Sequence, residues 1–230
     1  MILLQLLFFC FLPPIIWIAY GVYSRFFSFF QAVRGVLFGL GAVLLAAALQ
    51  WLLDPLTRVF SGFSALLFAS FIEAALLEEG IKLLMLNSIP EVRARSHAFA
   101  CDSSPLDMRS LLSFAVLIGV SFASFETLMY TLRNPSVLFL RSVTSLFLHV
   151  STALCSGVFL LRLRADAGGG AVRYTDAARY AVAARYAVAS VALHGFYNFC
   201  LGLGGFFIYP AYVSLLLFSG FALYLWKENE

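Results

Sequence analysis

The sequence LLEEGIKLL, at residues 76–84, places two adjacent glutamates and a lysine inside an otherwise apolar segment. A charged side chain at the centre of a bilayer costs roughly 2.5–3.5 kcal/mol on insertion scales, so three unpaired charges on one span would cost about 8 kcal/mol. On a helix, Glu78 lies four residues before Lys82 on one face, and Glu79 lies three residues before it. One glutamate can therefore pair with the lysine while the other faces a partner helix or water. The alternative interpretation is a buried ion pair that only fixes helix packing.

The composition indicates an integral membrane protein. Of the 230 residues, 62% are hydrophobic and only 12% are charged, and the mean hydropathy is +0.93. These values exclude a soluble globular protein. Apolar runs of about 20 residues, the length that crosses a bilayer, recur along nearly the whole chain. We therefore predict an all-α, polytopic bundle of about seven transmembrane helices, at residues 3–23, 35–53, 60–87, 111–132, 137–163, 177–200 and 206–226.

The domain organisation predicted from this pattern is simple. No polar stretch is long enough to form a soluble core, so residues 1–230 are predicted to form one integral membrane domain, with the polar motifs confined to residues 60–200. The first span has no basic residues before it and exceeds signal-peptide length, which favours a retained helix. The third span is too long for a perpendicular helix, and a steep tilt or a break near Gly80 would accommodate it.

Three further spans carry polar or ionisable side chains within apolar sequence. Glu126 and Tyr130 are four residues apart near the end of the fourth span, and His194 and Asn198 have the same spacing near the end of the sixth. The fifth span carries a polar stripe on one helical face, formed by Ser145, His149, Thr152 and Ser156. Hydrogen bonding between helices is the alternative explanation for this stripe. Ionisable groups on four spans together favour a functional polar centre.

The distribution of basic residues predicts the orientation of the bundle. Ten Lys or Arg residues lie in the first, third and fifth connections and at the C-terminus, and only Arg58, Arg133 and Arg141 lie on the opposite side. By the positive-inside rule the N-terminus is outside and the C-terminus is cytoplasmic. Because the basic residues serve topology, the net charge of +3 forms no nucleic-acid patch. The four cysteines have no paired spacing, so neither a disulfide framework nor a cysteine zinc site is expected.

Four motifs, in order on successive helices, resemble those of the PrsW family of intramembrane proteases. They are EEGIK at residues 78–82, FETLMY at residues 125–130, His149, and HGFYN at residues 194–198. The type II CAAX prenyl endopeptidases are a more distant likeness. This chain has Asn198 where the PrsW pattern has aspartate. The resemblance implies a multi-pass peptidase of the bacterial cell membrane that cleaves a single-span membrane protein, typically an anti-sigma factor, from the extracytoplasmic side.

Peptide hydrolysis assigns a chemical role to each polar residue. A buried carboxylate is a suitable base, so Glu78 or Glu79 is expected to activate water while Lys82 keeps the other ionised. Asn198 would donate a hydrogen bond to the oxyanion. Zinc is expected to bind through His149, His194 and one carboxylate, either Glu126 or one of the tandem pair. In the metal-free alternative, His194 helps the glutamate to activate water.

Two other functional classes also fit intramembrane charges. An ion-coupled transporter places glutamate, lysine and histidine at mid-membrane depth, although the halves of this chain show no inverted repeat. A non-catalytic scaffold or immunity-type membrane protein is the second alternative. In every case the chain is surrounded by the lipid bilayer.

Overall fold

The computed structural model describes residues 2–90, 92, 108–164 and 176–228. Every regular element in these ranges is helical, which confirms the predicted fold class. A π-helix at Phe68–Leu76 directly joins two α-helices, Gly62–Leu67 and Leu77–Ser88, and 3-10 turns at Pro135–Val137 and Gly205–Phe207 each precede a long α-helix. The α-helices are α1 (Ile2–Tyr23), α2 (Phe29–Thr57), α3 (Gly62–Leu67), α4 (Leu77–Ser88), α5 (Met108–Arg133), α6 (Leu138–Arg164), α7 (Asp176–Leu203) and α8 (Ile208–Glu228).

Seven helical runs correspond to the seven predicted spans. Six of them are long and apolar enough to cross a membrane: α1, α2, α5, α6, α7 and α8. The remaining run, from Gly62 to Ser88, is helical throughout but carries four charged residues. Its composition is therefore more polar than that of the six apolar spans. Three of its charged residues, Glu78, Glu79 and Lys82, are buried inside the bundle.

The irregularity in this third run lies before Gly80. Helix α4 continues without a break through Gly80, so of the two alternatives, a steep tilt or a break there, the break is excluded. The backbone departs from α-helical geometry earlier, in the nine-residue π-helix Phe68–Leu76. A π-helix has i→i+5 hydrogen bonds and occurs most often near functional sites. Here it ends directly before the two glutamates.

Helix α5 is the central helix of the bundle. Its residues from Ser110 to Ser124 are buried without interruption, and it packs against α1, α2 and α6. Close contact with α6 depends on Gly119, because a Cβ atom there would lie 2.5 Å from the carbonyl oxygen of His149. This contact places the polar stripe of α6 directly beside α5.

Helices α2 and α5 touch closely along one half of their length and separate along the other. At Gly39 a Cβ atom would lie 2.5 Å from the Cβ of Ser121, so the two backbones approach as closely as small residues allow. From Val43 on α2 and Phe122 on α5, the two helices instead line the walls of an open cleft. The orientation of the bundle remains a prediction, and the connections that supply Arg93, Arg95 and Arg173 lie outside the described residues.

Candidate active site

Helix α4 presents its three charged residues to the interior of the bundle. Glu78, Glu79 and Lys82 are all buried, with Glu78 the most exposed of them at 6%. His149 on α6 and His194 on α7 are equally buried. Three of the four polar spans predicted from the sequence therefore meet at one centre inside the bundle, and the fourth joins them through Glu126 on α5, which contacts His149.

Lys82 pairs with Glu79 and leaves Glu78 without a cation. Its Nζ lies 2.6 Å from Glu79 Oε1, and it also lies 3.0 Å from His149 Nδ1 and 3.0 Å from the Thr152 hydroxyl oxygen. His149 and Thr152 both lie on α6. The packing of α4 against α6 therefore selects the i,i+3 pair Glu79–Lys82 over the i,i+4 pair Glu78–Lys82. The sequence had left this choice open.

Glu79 is held on both of its oxygens and orients His194. Besides contacting Lys82, its Oε1 lies 2.6 Å from His194 Nδ1, and its Oε2 accepts a hydrogen bond of 3.1 Å from the Ser190 hydroxyl. A carboxylate on Nδ1 fixes the ring and leaves Nε2 with its lone pair. The geometry thus gives Glu79 an orienting role, since neither of its oxygens is free to act as a base.

Glu126 has one oxygen that is held and one that is free. Three residues of α6 contact its Oε2, each at 2.9 Å: the Arg141 guanidinium, the Ser145 hydroxyl and His149 Nε2. Among the described residues, no donor lies on Oε1. The Arg141 guanidinium also lies 3.7 Å from the ring centre of Tyr130, so it contacts both members of the Glu126–Tyr130 pair.

Glu78 shows the same division between its two oxygens. Its Oε1 accepts a hydrogen bond of 2.9 Å from the side-chain amide of Gln50 on α2. Its Oε2 is buried and has no hydrogen-bond partner among the residues that the structure describes. The nearest basic atom is His194 Nε2, at 3.8 Å. A buried carboxylate oxygen without a protein partner is costly, so this position suits a bound water molecule or a metal ion.

Glu78, His149 and His194 form a group with the geometry of a metal site. One ligand atom of each lies within 4.8 Å of the others. The predicted set of His149, His194 and a carboxylate is thus brought together, with Glu78 of the tandem pair supplying the carboxylate. Glu126, the other carboxylate considered from the sequence, contacts His149 instead.

His149 is engaged through both ring nitrogens. A charged Lys82 donates to Nδ1, so the neutral imidazole carries its hydrogen on Nε2 and donates it to Glu126. His149 can coordinate a metal ion only when one of these contacts is exchanged. His194 needs no such change, because its Nε2 is already free of hydrogen-bond partners among the described residues.

Two cavities reach the polar centre. A cleft of about 290 Å³ between α2 and α5 has Glu78 and Glu126 in its lining, together with Glu73 of the π-helix. A smaller cavity of about 80 Å³ is lined by Glu126, His149, His194 and Asn198. Glu126 therefore lies in the wall between the cavities, and Asn198 faces the second one, four residues beyond His194.

Sequence reasoning missed Gln50, Arg141 and Ser190 as members of the site. Gln50 carried a signal as a lone amide in an apolar span. Arg141 lies four residues before Ser145, so it extends the polar stripe by about one turn. Ser190 lies four residues before His194 and is likewise a continuation of a polar face that the sequence already showed.

Comparisons with known proteins agree with this arrangement. The model of the PrsW family of intramembrane metalloproteases matches residues 27–224, nearly the whole chain. The chain belongs to this family. Protease PrsW of Clostridioides difficile (strain 630) is 28% identical over 177 residues, which cover 75% of this chain and 65% of that protein. The chain thus spans slightly less than two thirds of the length of this relative. No solved structure matches the chain.

Proposed function

We propose that this chain is an intramembrane peptidase that hydrolyses a peptide bond of a membrane-anchored protein. The observation that carries this proposal is the pair of carboxylates on one cleft. Glu78 and Glu126 both line it, and each has one oxygen fixed by neighbours and one without a donor. Two carboxylates with free oxygens at an open cleft are suited to binding and activating water.

The family description implies a metal ion, and the side chains at the polar centre fit one. Two imidazoles and a carboxylate are the ligand set of a common class of catalytic zinc site. Two of the metal-ligand atoms would be the unpartnered Glu78 Oε2 and the free Nε2 of His194, and His149 would supply the third ligand. A zinc ion held by this set would supply Lewis-acid chemistry.

The remaining polar residues have distinct roles in the proposed reaction. Glu126 accepts a proton from the attacking water on its free Oε1, while Arg141 and Ser145 hold its Oε2 whether or not His149 exchanges its own contact for a metal ion. Glu79 orients His194, and Lys82 joins Glu79 to His149. Asn198, in the wall of the second cavity, donates a hydrogen bond to the developing oxyanion.

The proposed substrate is a single-span membrane protein, and an anti-sigma factor is one candidate. The site lies near one end of several helices: Gln50 and Glu126 each lie seven residues before the ends of α2 and α5, about 10 Å along a helix. With the N-terminus outside, this is the outer side of the bacterial cell membrane. The scissile bond then lies within the outer leaflet or close to it.

The experiment that tests the function uses purified protein in proteoliposomes with tagged single-span proteins. Wild type should release fragments with a defined new terminus, identified by mass spectrometry. Glu78→Gln should insert equally well and release none. If wild type and Glu78→Gln produce the same fragments at the same rate, the cleavage comes from a contaminant and the proposal is wrong.

The orientation needs its own experiment. Ser136 is exposed in the turn before α6, at the predicted outer end of the bundle. In a Cys101→Ser background, Ser136→Cys should react with a membrane-impermeant maleimide added outside intact cells. Reaction only after the membrane is opened would place this turn in the cytoplasm and reverse the orientation.

A further inference from the structure

The cleft between α2 and α5 is too small for an intact helix. A helix with its side chains is about 10–12 Å across and advances about 5.4 Å per turn, so one turn fills roughly 400 Å³. The cleft holds about 290 Å³. An extended segment therefore fits this cleft better than an intact helix does.

At the mouth of the cleft, which we define by its less buried lining residues Asp54, Glu73 and Arg133, one carboxylate forms no ion pair with Lys or Arg among the described residues. Asp54 pairs with Arg58, and Glu126 pairs with Arg141. Glu73, on the π-helix, is half-buried and accepts a hydrogen bond of 2.6 Å from the Thr57 hydroxyl. Within the described part of the chain, no Lys or Arg forms an ion pair with it.

Glu73 is linked to the polar centre by a single side chain. The Gln50 amide nitrogen donates to Glu78 Oε1 at 2.9 Å and lies 3.4 Å from the backbone carbonyl oxygen of Glu73. These two contacts put the backbone oxygen of Glu73 no more than about 6.3 Å from Glu78 Oε1, and the Glu73 carboxylate extends from that backbone toward Thr57. An extended chain advances about 3.3 Å per residue, so the two positions lie within about three residues of each other.

We propose that the cleft binds the scissile segment as an extended chain and that Glu73 selects a Lys or Arg within about three residues of the scissile bond. This inference rests on the proposed peptidase function and names the class of substrate that the site accepts. A basic side chain would pair with a carboxylate that is partly shielded from water, where ionic contacts are stronger than at an exposed surface.

Arg133 provides a contrast on the opposite wall of the same mouth. It also lines the cleft, but its side chain is exposed. Water and salt screen an exposed charge, so Arg133 is expected to add little selectivity. Its replacement is therefore the matched control for replacement of Glu73.

The test is a substrate scan in proteoliposomes. A single Lys, Gln or Glu is placed in turn at each of the four residues on either side of the scissile bond of one cleaved single-span protein. At one of these positions, wild type should cleave the Lys substrate with a kcat/KM about tenfold above that for Gln, and the Glu substrate should be poorer still. Glu73→Gln should reduce the Lys preference to about twofold or less, and Glu73→Lys should reverse it in favour of Glu.

A control variant and a disulfide cross-linking experiment distinguish failure of the Glu73 proposal from failure of the peptidase function. Arg133→Gln should keep the order of preference. In a Glu78→Gln, Cys101→Ser background, a cysteine at position 73 should form a disulfide with a substrate cysteine at the selected position and not with one eight residues away. Equal cleavage of the Lys, Gln and Glu substrates by wild type overturns the role of Glu73 but leaves the peptidase function standing. Absence of any cleavage by wild type, together with no cross-link, refutes both.

Discussion

The two halves of the α2–α5 pair differ in packing and in chemistry. In the half around Gly39, a Cβ atom would collide with Ser121, and the helices seal against each other. In the half from Val43 and Phe122 onward, the same two helices separate and expose Glu78 and Glu126 at a cleft of about 290 Å³. The closely packed half holds α2 and α5 together. The other half of the same helix pair gives access to the polar centre.

The largest effect is expected in the open half, at Glu78. Glu78→Gln keeps the size of the side chain but removes the charge of the unpartnered oxygen, so it should lower kcat/KM by at least about a hundredfold. The measurement is cleavage of a tagged single-span protein in proteoliposomes. The matched control is Glu228→Gln, which changes an exposed glutamate at the end of α8 and should retain full activity. Activity within threefold of wild type in Glu78→Gln would remove Glu78 from the reaction.

The next largest effect is expected in the sealed half. Gly39→Leu inserts a side chain where even a Cβ atom meets Ser121 at 2.5 Å, and overpacking of this kind costs about 1–3 kcal/mol. The variant should unfold at lower SDS fraction than wild type in mixed micelles. Gly41→Leu is the control, because a Cβ atom there has no neighbour within 4 Å. Equal destabilisation by the two substitutions would show that close packing at Gly39 does not hold the pair together.

A smaller effect on activity is expected from Arg141. Arg141→Met removes one of the three donors to Glu126 Oε2 and the cation over the Tyr130 ring, so kcat should fall about tenfold with little change in KM. Arg141→Lys should recover part of the loss, because it restores the charge without the planar fork. Arg58→Met, which breaks an exposed pair with Asp54, should change kcat less than twofold. A rise in KM with an unchanged kcat would instead place Arg141 in contact with the substrate.

The smallest effect is expected from Gln50. Gln50→Met keeps the length of the side chain but leaves Glu78 Oε1 without its donor, and one neutral hydrogen bond contributes about 1 kcal/mol. The kcat/KM should therefore fall about threefold to tenfold. Gln31→Met, at the capping box that begins α2, is the control on the same helix. If Gln50→Met has no effect on cleavage while Gln31→Met does, the Gln50 contact has no part in positioning Glu78.

The helices were largely predictable because apolar length is a local property of the sequence. The predicted and observed runs agree within a few residues except at α2, which begins at Phe29 instead of residue 35. Ser28 and Gln31 form a reciprocal capping box there, a signal that the apolar pattern alone does not use. The π-helix could not be predicted, since its sequence resembles that of an ordinary apolar helix.

Most residues of the site could be predicted from the sequence, but the contacts between their side chains could not. Spacing along α4 allows Lys82 to contact Glu78 or Glu79, and the choice depends on His149 and Thr152, about 70 residues away on α6. The carboxylate beside the two histidines depends in the same way on how α4 and α5 pack against α6. Partner choice across helices is a tertiary property, so a single sequence leaves it open.

Glu78, His149 and His194 are expected to hold one zinc ion together in the active protein. The direct test is elemental analysis of protein purified without metal-affinity steps and assayed for cleavage in the same preparation. About one equivalent of zinc is expected in wild type and in Glu228→Gln, with less than about a tenth of an equivalent in His194→Ala and loss of wild-type cleavage on treatment with phenanthroline. Wild-type protein that cleaves its substrate with less than a tenth of an equivalent of any metal, and continues to do so with phenanthroline present, would contradict the claim.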